Sequence, residues 1–294
     1  MLTITTNGTL LTCEVYEWLV SEGVSIVISL DGPKPVHDRS RKYPDGRGSF
    51  DDIVANINSI REKHQDAKEE LRFITVVNPE AIETCLDQVY SYDEVFPEYD
   101  GMVSFVNELY SEKDTKVSEA FASLSIQERA KMLLYMLGKL DRSKVSRLIV
   151  GLENEIELKH KQLRRIKCLP RKFHPGGPCL AGVERLFVSV DGIFYPCERV
   201  SESSEVMQIG DVRGGISVDK ANAITNVGVT TAAECLKCWA IIHCNMCAAV
   251  SDSLSEFSKP MRLNSCANVK LSIEEAFKDI CFLKSYGYVF EDDK

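Results

Sequence analysis

Cys235-Leu-Lys-Cys-Trp-Ala-Ile-Ile-His-Cys-Asn-Met-Cys247 holds two Cys-x2-Cys pairs within thirteen residues. In each pair a single turn of backbone can present two thiolates to one metal centre. The stretch does not stand alone. Upstream, Cys179 is followed by twelve residues, Gly192, four residues and Cys197; downstream, eighteen residues separate Cys247 from Cys266. Seven thiolates are too many for one tetrahedral ion and one short of two four-ligand centres, so the array either leaves a position open or borrows an eighth ligand. Spacing alone leaves structural zinc and iron-sulfur clusters about equally open. Eleven cysteines is an odd number, and the first 167 residues hold only Cys13 and Cys85. Disulfides shared across a fold would not be distributed so, and metal ligation in a reducing compartment is the better account.

The chain's 294 residues suffice for one large or two ordinary domains, and 44% hydrophobic content is that of a globular protein. A net charge of -9 without long acidic or basic blocks argues against nucleic acid and anionic membrane as partners, and for a small molecule or peptide. No run approaches about 18 apolar residues, and Leu2-Thr-Ile-Thr-Thr6 follows Met1 without a charged region or signal core; a cytoplasmic protein is expected. There are no internal repeats or low-complexity tracts.

Ahead of the cysteines the periodicity alternates. Leu2 to Thr6 is a β-branched run, and Leu10 to Glu22 places Leu11, Val15, Trp18 and Leu19 at helical spacing, with Gly23 where a C-cap belongs. Val24 to Leu30 reads as a buried strand. Ser49 caps a helix with Asp52 three residues on and Ile53, Ile57 and Ile60 along one face; Leu71 to Val77 is the next strand. The order β-α-β-α-β implies parallel strands. A helix over Ala81 to Phe96 and a strand over Met102 to Val106 follow. From Ser118 to Lys167 the pattern is helical and charged, with Ser125 to Glu128 matching a capping box. A hairpin is expected from Leu186–Val190 and Ile193–Tyr195, turned at Asp191-Gly192, and a last helix from Ser272 to Ser285 packs Ile273, Phe277, Ile280 and Cys281 inward. Three domains result: residues 1–110, a helical connector at 111–167, and the cysteine-rich 168–294.

Three strands end in a polar residue and a turn former: Asn7-Gly8, Asp31-Gly32 and Asn78-Pro79. In parallel β/α barrels that rim assembles the chemistry. Ser29 and Asp31 share a strand face and can both hydrogen-bond a ribose or an amino-acid group. The bland reading is that Asn and Asp simply start turns.

The cysteine array, with Gly192, Tyr195-Pro-Cys-Glu-Arg199 and Cys238-Trp-Ala240, resembles the SPASM domain of radical S-adenosylmethionine enzymes, which holds two auxiliary 4Fe-4S clusters. The resemblance implies Cys179, Cys197 and Cys247 on the first cluster and Cys235, Cys238, Cys244 and Cys266 on the second. It also implies a fourth site on the first cluster that is filled by Cys168 or left open to a substrate thiol. The relatives often space the last knuckle cysteine by three residues, where Asn245-Met246 gives two. Thr5-Thr-Asn-Gly-Thr-Leu-Leu11, Ile28-Ser-Leu-Asp-Gly-Pro-Lys34, Val36-His-Asp-Arg-Ser-Arg41, Gly46-Arg-Gly-Ser-Phe50 and Phe73-Ile-Thr-Val-Val-Asn78 resemble the fourth to sixth strands of the radical S-adenosylmethionine barrel. The implied fold is α/β: part of a parallel (β/α)6 barrel followed by a small cysteine-rich α+β SPASM domain. Asn7, Ser29 and Asp31 are then the cofactor-side residues, with Arg41 as partner to a carboxylate.

The family's Cys-x3-Cys-x2-Cys loop, which holds the cluster that cleaves S-adenosylmethionine, is absent before Cys13, so an N-terminally truncated enzyme, inactive alone, is expected. Gly177 to Val200 resembles the subgroup that matures cysteine-rich ribosomal peptides. The implied activity is that of an oxidoreductase forming a thioether crosslink in a cysteine-rich precursor peptide, with two 4Fe-4S clusters, S-adenosylmethionine and an electron donor. A sulfatase-type maturase shares the layout; a non-catalytic cluster protein and a zinc-binding peptide-interaction module are the other classes. Glu198, next to Cys197, is the general-base candidate, weighed against an ion pair with Arg199. His243 is a minor ligand candidate, Trp239 a shield for the second cluster, and Cys13, Cys85 and Cys281 read as core. His174-Pro-Gly-Gly-Pro-Cys179 is discounted as a phosphate cradle.

Overall fold

The computed structural model describes residues 2–78, 100–106, 109–110, 117–146, 149, 151–165, 177 and 179–293. They fall into two compact units, residues 1–108 with 113–153, and residues 109–112 with 154–294. The expected helix over 81–96, together with Cys85, Cys168 and 171–176, lies outside the described residues.

The first unit contains β1 (Leu2–Thr6), α1 (Cys13–Ser21), β2 (Val24–Ser29), α2 (Lys34–Ser40), α3 (Phe50–Lys63), α4 (Ala67–Glu70), β3 (Leu71–Val77), β4 (Asp100–Phe105) and α5 (Glu119–Met136). The strands form one parallel sheet in the order β1-β2-β3-β4. Thr6 pairs with Ile28, Ser29 with Ile74 and Val77 with Phe105, so the strands end close to one another on the same rim. Parallel neighbours need crossovers, and α1 and α3 supply them. β2 is buried on both faces at Ile26, Val27 and Ile28, which is why it reads as an unbroken apolar run. Ile53, Ile57 and Ile60 of α3 cover it. Gly8, at φ 74°, allows the close approach: a Cβ there would stand 3.1 Å from Ile28 Cγ2 and 3.2 Å from Ile53 Cγ2.

Several local expectations shift. α1, capped by Thr12, buries Tyr16 and Leu19 in the cluster that holds Leu11 and Ile28, while Val15 and Trp18 stay exposed. Ser49 does not cap α3 through its side chain; Asp38 Oδ1 accepts the Phe50 N–H instead, at 3.0 Å. Ser125 does not start a helix either, since Ser118 already caps α5 by accepting from Phe121 N. Glu128 is buried, with Lys131 at 2.6 Å and the Ser146 N–H at 2.9 Å.

The second unit contains α6 (Leu152–Arg165), β5 (Phe187–Val188), β6 (Ile193–Tyr195), β7 (Gly210–Asp211), β8 (Gly215–Ile216), α7 (Val218–Thr225), α8 (Ala232–Cys235), α9 (Lys259–Asn264) and α10 (Cys266–Ser285). α5 belongs to the first unit and all but the start of α6 to the second. The four short strands pair antiparallel in chain order, with Gly192 at φ 78° turning β5 into β6. Tyr195, Met207, Ile209 and Ile224 form the core beneath them. α10 begins at Cys266 rather than Ser272 and buries Ile273, Ala276, Ile280 and Leu283. Cys281 is exposed, which corrects its reading as core: it lies one residue past the buried stripe. No helix among the described residues is long and apolar enough to cross a membrane.

Candidate metal centre and strand-end site

Cys235 is the last residue of α8, and the Cys238 N–H bonds the Cys235 carbonyl at 2.9 Å. That one tight turn puts both thiols on the same side. A 3-10 turn at Ile241–His243 then delivers Cys244, and Cys266 opens α10. These four cysteines line one cavity of about 190 Å³, together with Ala240, Ile241, Met246, Leu263 and Val269. A single ion would need far less room, since about 10–15 Å³ already holds a water. Among the described residues no three His, Cys, Asp or Glu side chains stand close enough to hold one metal ion. Four thiols spread around a partly open, mostly apolar wall that also carries Thr231, Glu234, Arg262 and Lys270 suit a four-iron cluster, with one thiolate for each iron. Burial pushes the Cys266 thiol up, and Cys235, Cys244 and Cys238 add to it. Its place at the N-terminus of a twenty-residue helix favours the thiolate.

Cys247 does not line that cavity, although only two residues separate it from Cys244. It is exposed, on the same side as Cys179 and Cys197. Partial burial raises both of those thiols, with Cys247 among the groups that add to the effect. Gly177, at φ 94°, seats the chain before Cys179 against this segment, where a Cβ would meet the Met246 carbonyl oxygen at 3.2 Å. Glu198 is exposed and pairs with Arg185 at 3.6 Å.

Around the cysteines, several residues that the sequence did not single out hold the frame. Asp252 is buried and accepts from Tyr110 OH at 2.6 Å, Ser204 Oγ at 2.9 Å and Leu254 N at 2.7 Å. Lys159 of α6, 4% exposed, donates its Nζ to the His243 carbonyl at 2.7 Å. His243 itself is buried, with Nδ1 3.1 Å from Gln162 Oε1 and its ring edge-on to Phe277. Trp239 is half-exposed and also packs on Phe277.

In the first unit the rim residues meet as follows. Asn7 Oδ1 accepts from the Thr9 N–H at 3.1 Å and Thr9 Oγ1 at 2.9 Å, a turn-forming role. Ser29 ends β2, half-buried. Asp31 is buried and accepts from Arg41 Nε at 2.6 Å, Arg41 Nη2 at 3.2 Å and the Val76 N–H at 2.9 Å, continuing the ladder past β2. Asp31 and Arg41, taken separately as ribose and carboxylate contacts, are thus each other's partners. His37 holds the loop that carries Arg41. Its Nδ1 accepts the Asp31 N–H at 3.1 Å, so the proton sits on Nε2, which donates to Ser49 Oγ at 3.0 Å. Ser49 Oγ in turn donates to the Arg41 carbonyl at 3.1 Å. Burial keeps this imidazole's pKa below the ordinary value, against the pull of Asp31.

No protein-family model matches the chain. It is 33% identical over 111 residues to the serine-type anaerobic sulfatase-maturating enzyme of Bacteroides thetaiotaomicron, covering 38% of this chain and 26% of that enzyme. It is 32% identical over 89 residues to the cysteine-type enzyme of Clostridium novyi, covering 30% and 22%. The matched stretch thus spans about a quarter of those relatives' lengths. In fold it matches the solved structure of anSMEcpe with bound AdoMet at a TM-score of 0.59 and 19% identity, over 96% of this chain and 75% of that one. The same values hold for anSMEcpe with AdoMet and the Kp18Cys peptide. The chain thus shares the fold of anSMEcpe, a parallel α/β sheet followed by a cysteine-rich region. The sequence similarity found is to sulfatase-maturating enzymes.

Proposed function

We propose that this chain is the cluster-bearing part of a radical S-adenosylmethionine maturase that modifies a cysteine-rich precursor peptide, forming a thioether crosslink. The observation that carries the reading is the cavity lined by Cys235, Cys238, Cys244 and Cys266, with Cys247 set apart beside Cys179 and Cys197. Bound there, two 4Fe-4S clusters would supply one-electron storage and, at an open iron, a seat for a peptide thiol. The chain's own side chains do the rest. Cys179, Cys197 and Cys247 hold the first cluster, with Cys168 as the fourth ligand where no substrate thiol occupies the site. Glu198, adjoining Cys197 and oriented by Arg185, takes up the proton released from the substrate. Ser29 and Asn7 hydrogen-bond S-adenosylmethionine at the strand ends, on a rim that the Asp31–Arg41 pair keeps rigid.

A second reading, oxidation of a cysteine or serine in a sulfatase, is favoured by both curated relatives. One experiment tests the common part and separates the branches. Iron, acid-labile sulfide and zinc are measured on anaerobically reconstituted protein, and spectra are recorded with a cysteine-rich peptide and with a sulfatase-derived peptide. About eight irons and eight sulfides support the cluster assignment. A spectral change with only one peptide selects the branch. Two zincs without sulfide would replace the whole reading by a zinc-stabilised interaction module.

A further inference from the structure

We propose that Lys159 is a buried counter-charge to the cluster held by Cys235, Cys238, Cys244 and Cys266, and that it raises that cluster's reduction potential. The inference rests on the cluster assignment above.

α6 turns Ile156, Lys159 and His160 inward, all at most 4% exposed, so the ammonium is withdrawn from water. Its Nζ is fixed on the carbonyl of His243, the residue joined to Cys244, and Cys244 lines the cavity. Burial lowers its pKa, while Glu155, one turn earlier on the same helix, and Cys244 act the other way. The neighbouring His243 imidazole is engaged elsewhere, with Nδ1 on Gln162 Oε1 and its ring edge-on to Phe277. A buried lysine carries a desolvation cost that nearby anions offset, Glu155 first among them here. A four-iron cluster on four thiolates is such an anion, and it becomes more negative on reduction. A fixed cation therefore stabilises the reduced form more than the oxidised one. Around Cys179, Cys197 and Cys247 the charged neighbours differ: Arg185 and Glu198 have side chains 52% and 59% exposed, so water screens them. Lys159 should accordingly act on one cluster and not on the other.

Lys159→Gln keeps a hydrogen-bond donor for the His243 carbonyl and removes the charge; Lys159→Arg keeps the charge. Both variants and the wild type are reconstituted anaerobically, their iron and sulfide counted, and both clusters titrated by electron paramagnetic resonance, with Cys235→Ala/Cys266→Ala assigning the signals. In Lys159→Gln the reduced-to-oxidised ratio of the second cluster at fixed potential should fall about tenfold, about 59 mV for one electron. Lys159→Arg should stay close to wild type and the first cluster should not move. Loss of the second cluster in Lys159→Gln alone supports the same conclusion. An unmoved midpoint in Lys159→Gln, an equal fall in both variants, or loss of the cluster in both assigns Lys159 a structural role and overturns the proposal. Zinc without sulfide in the wild type is a different failure, that of the cluster assignment itself.

Discussion

The separation of Cys244 from Cys247 is the sharpest feature of the cysteine module, and paired substitutions test it. In sequence the two form one Cys-x2-Cys knuckle, and a knuckle serving one metal ion would use both. In the fold Cys244 lines the cavity with Cys235, Cys238 and Cys266, whereas Cys247 faces Cys179 and Cys197. Each 4Fe-4S cluster accounts for about four irons and four sulfides. Cys235→Ala/Cys266→Ala should therefore remove about four of about eight irons and abolish one paramagnetic signal, leaving the other unchanged. Cys197→Ala/Cys247→Ala should do the converse. Cys244→Ala/Cys247→Ala takes one ligand from each set, so neither signal should survive unchanged. The readouts are iron, sulfide and low-temperature electron paramagnetic resonance on reconstituted protein. If Cys244→Ala/Cys247→Ala removes one signal and leaves the other untouched, the two cysteines share a centre and the interleaved assignment is wrong.

Four other outcomes follow from the same geometry. Gly48→Ala puts a Cβ into the Asp38 carboxylate and so pulls Asp38 off the Phe50 N–H. A loss of about 1–2 kcal/mol in denaturant unfolding is expected, as for a removed helix cap, and an unchanged midpoint would show that the loop yields freely. Arg41→Gln takes the guanidinium from the Asp31 carboxylate and leaves the Val76 amide in place; with Arg41's side chain 28% exposed, about 1–2 kcal/mol is expected, and a double-mutant cycle with Asp31→Asn should recover part of it. His37 is neutral in the fold with its pKa held down by burial, so the unfolded chain protonates first as pH falls below about 6.5. Stability should drop through that window at up to about 1.4 kcal/mol per pH unit, and His37→Gln should flatten the slope. Finally, removing iron with a chelator should increase protease cutting within 179–293 while leaving 2–78 protected; equal protection of both would dissociate folding from the metal.

What the sequence made legible, and what it did not, has a physical pattern. The β-α-β run was readable because Val24 to Leu30 and the isoleucines of α3 have distinct periods, and those residues are buried in the fold as patterned. That Cys235, Cys238, Cys244 and Cys266 line one cavity while Cys247 does not was not legible in the spacing, which pairs Cys244 with Cys247. α2 was not, because Lys34-Pro-Val-His-Asp-Arg-Ser40 has the texture of a polar loop and becomes a helix through tertiary bonds at His37 and Asp38. The Ser125 capping box failed because a helix begun at Ser118 simply runs through it. Lys159 and Asp252 escaped notice for a related reason: a lysine within Leu152-Glu-Asn-Glu-Ile-Glu-Leu-Lys-His-Lys161 looks solvated, and only the fold turns it inward.

The two units also differ in what stabilises each from within. The first has a sheet with strands of five to seven residues and a continuous aliphatic core across Ile26, Ile28, Ile53, Ile57 and Phe73. The second has strands of two or three residues, which carry few ladder bonds, and a smaller core around Tyr195 and Met207. On the proposed ligand sets, the first centre joins residues 179, 197 and 247 and the second joins 235, 238, 244 and 266. Each closes loops that the short strands could not close; the 197–247 loop of the first encloses Cys235, Cys238 and Cys244, and the 244–266 loop of the second encloses Cys247. The two ligand sets overlap along the chain between Cys235 and Cys247, so each centre also constrains backbone that carries ligands of the other. Metal binding thereby contributes to folding in this unit, and a chain that keeps one centre should keep the loops that this centre closes while losing order in those closed only by the other.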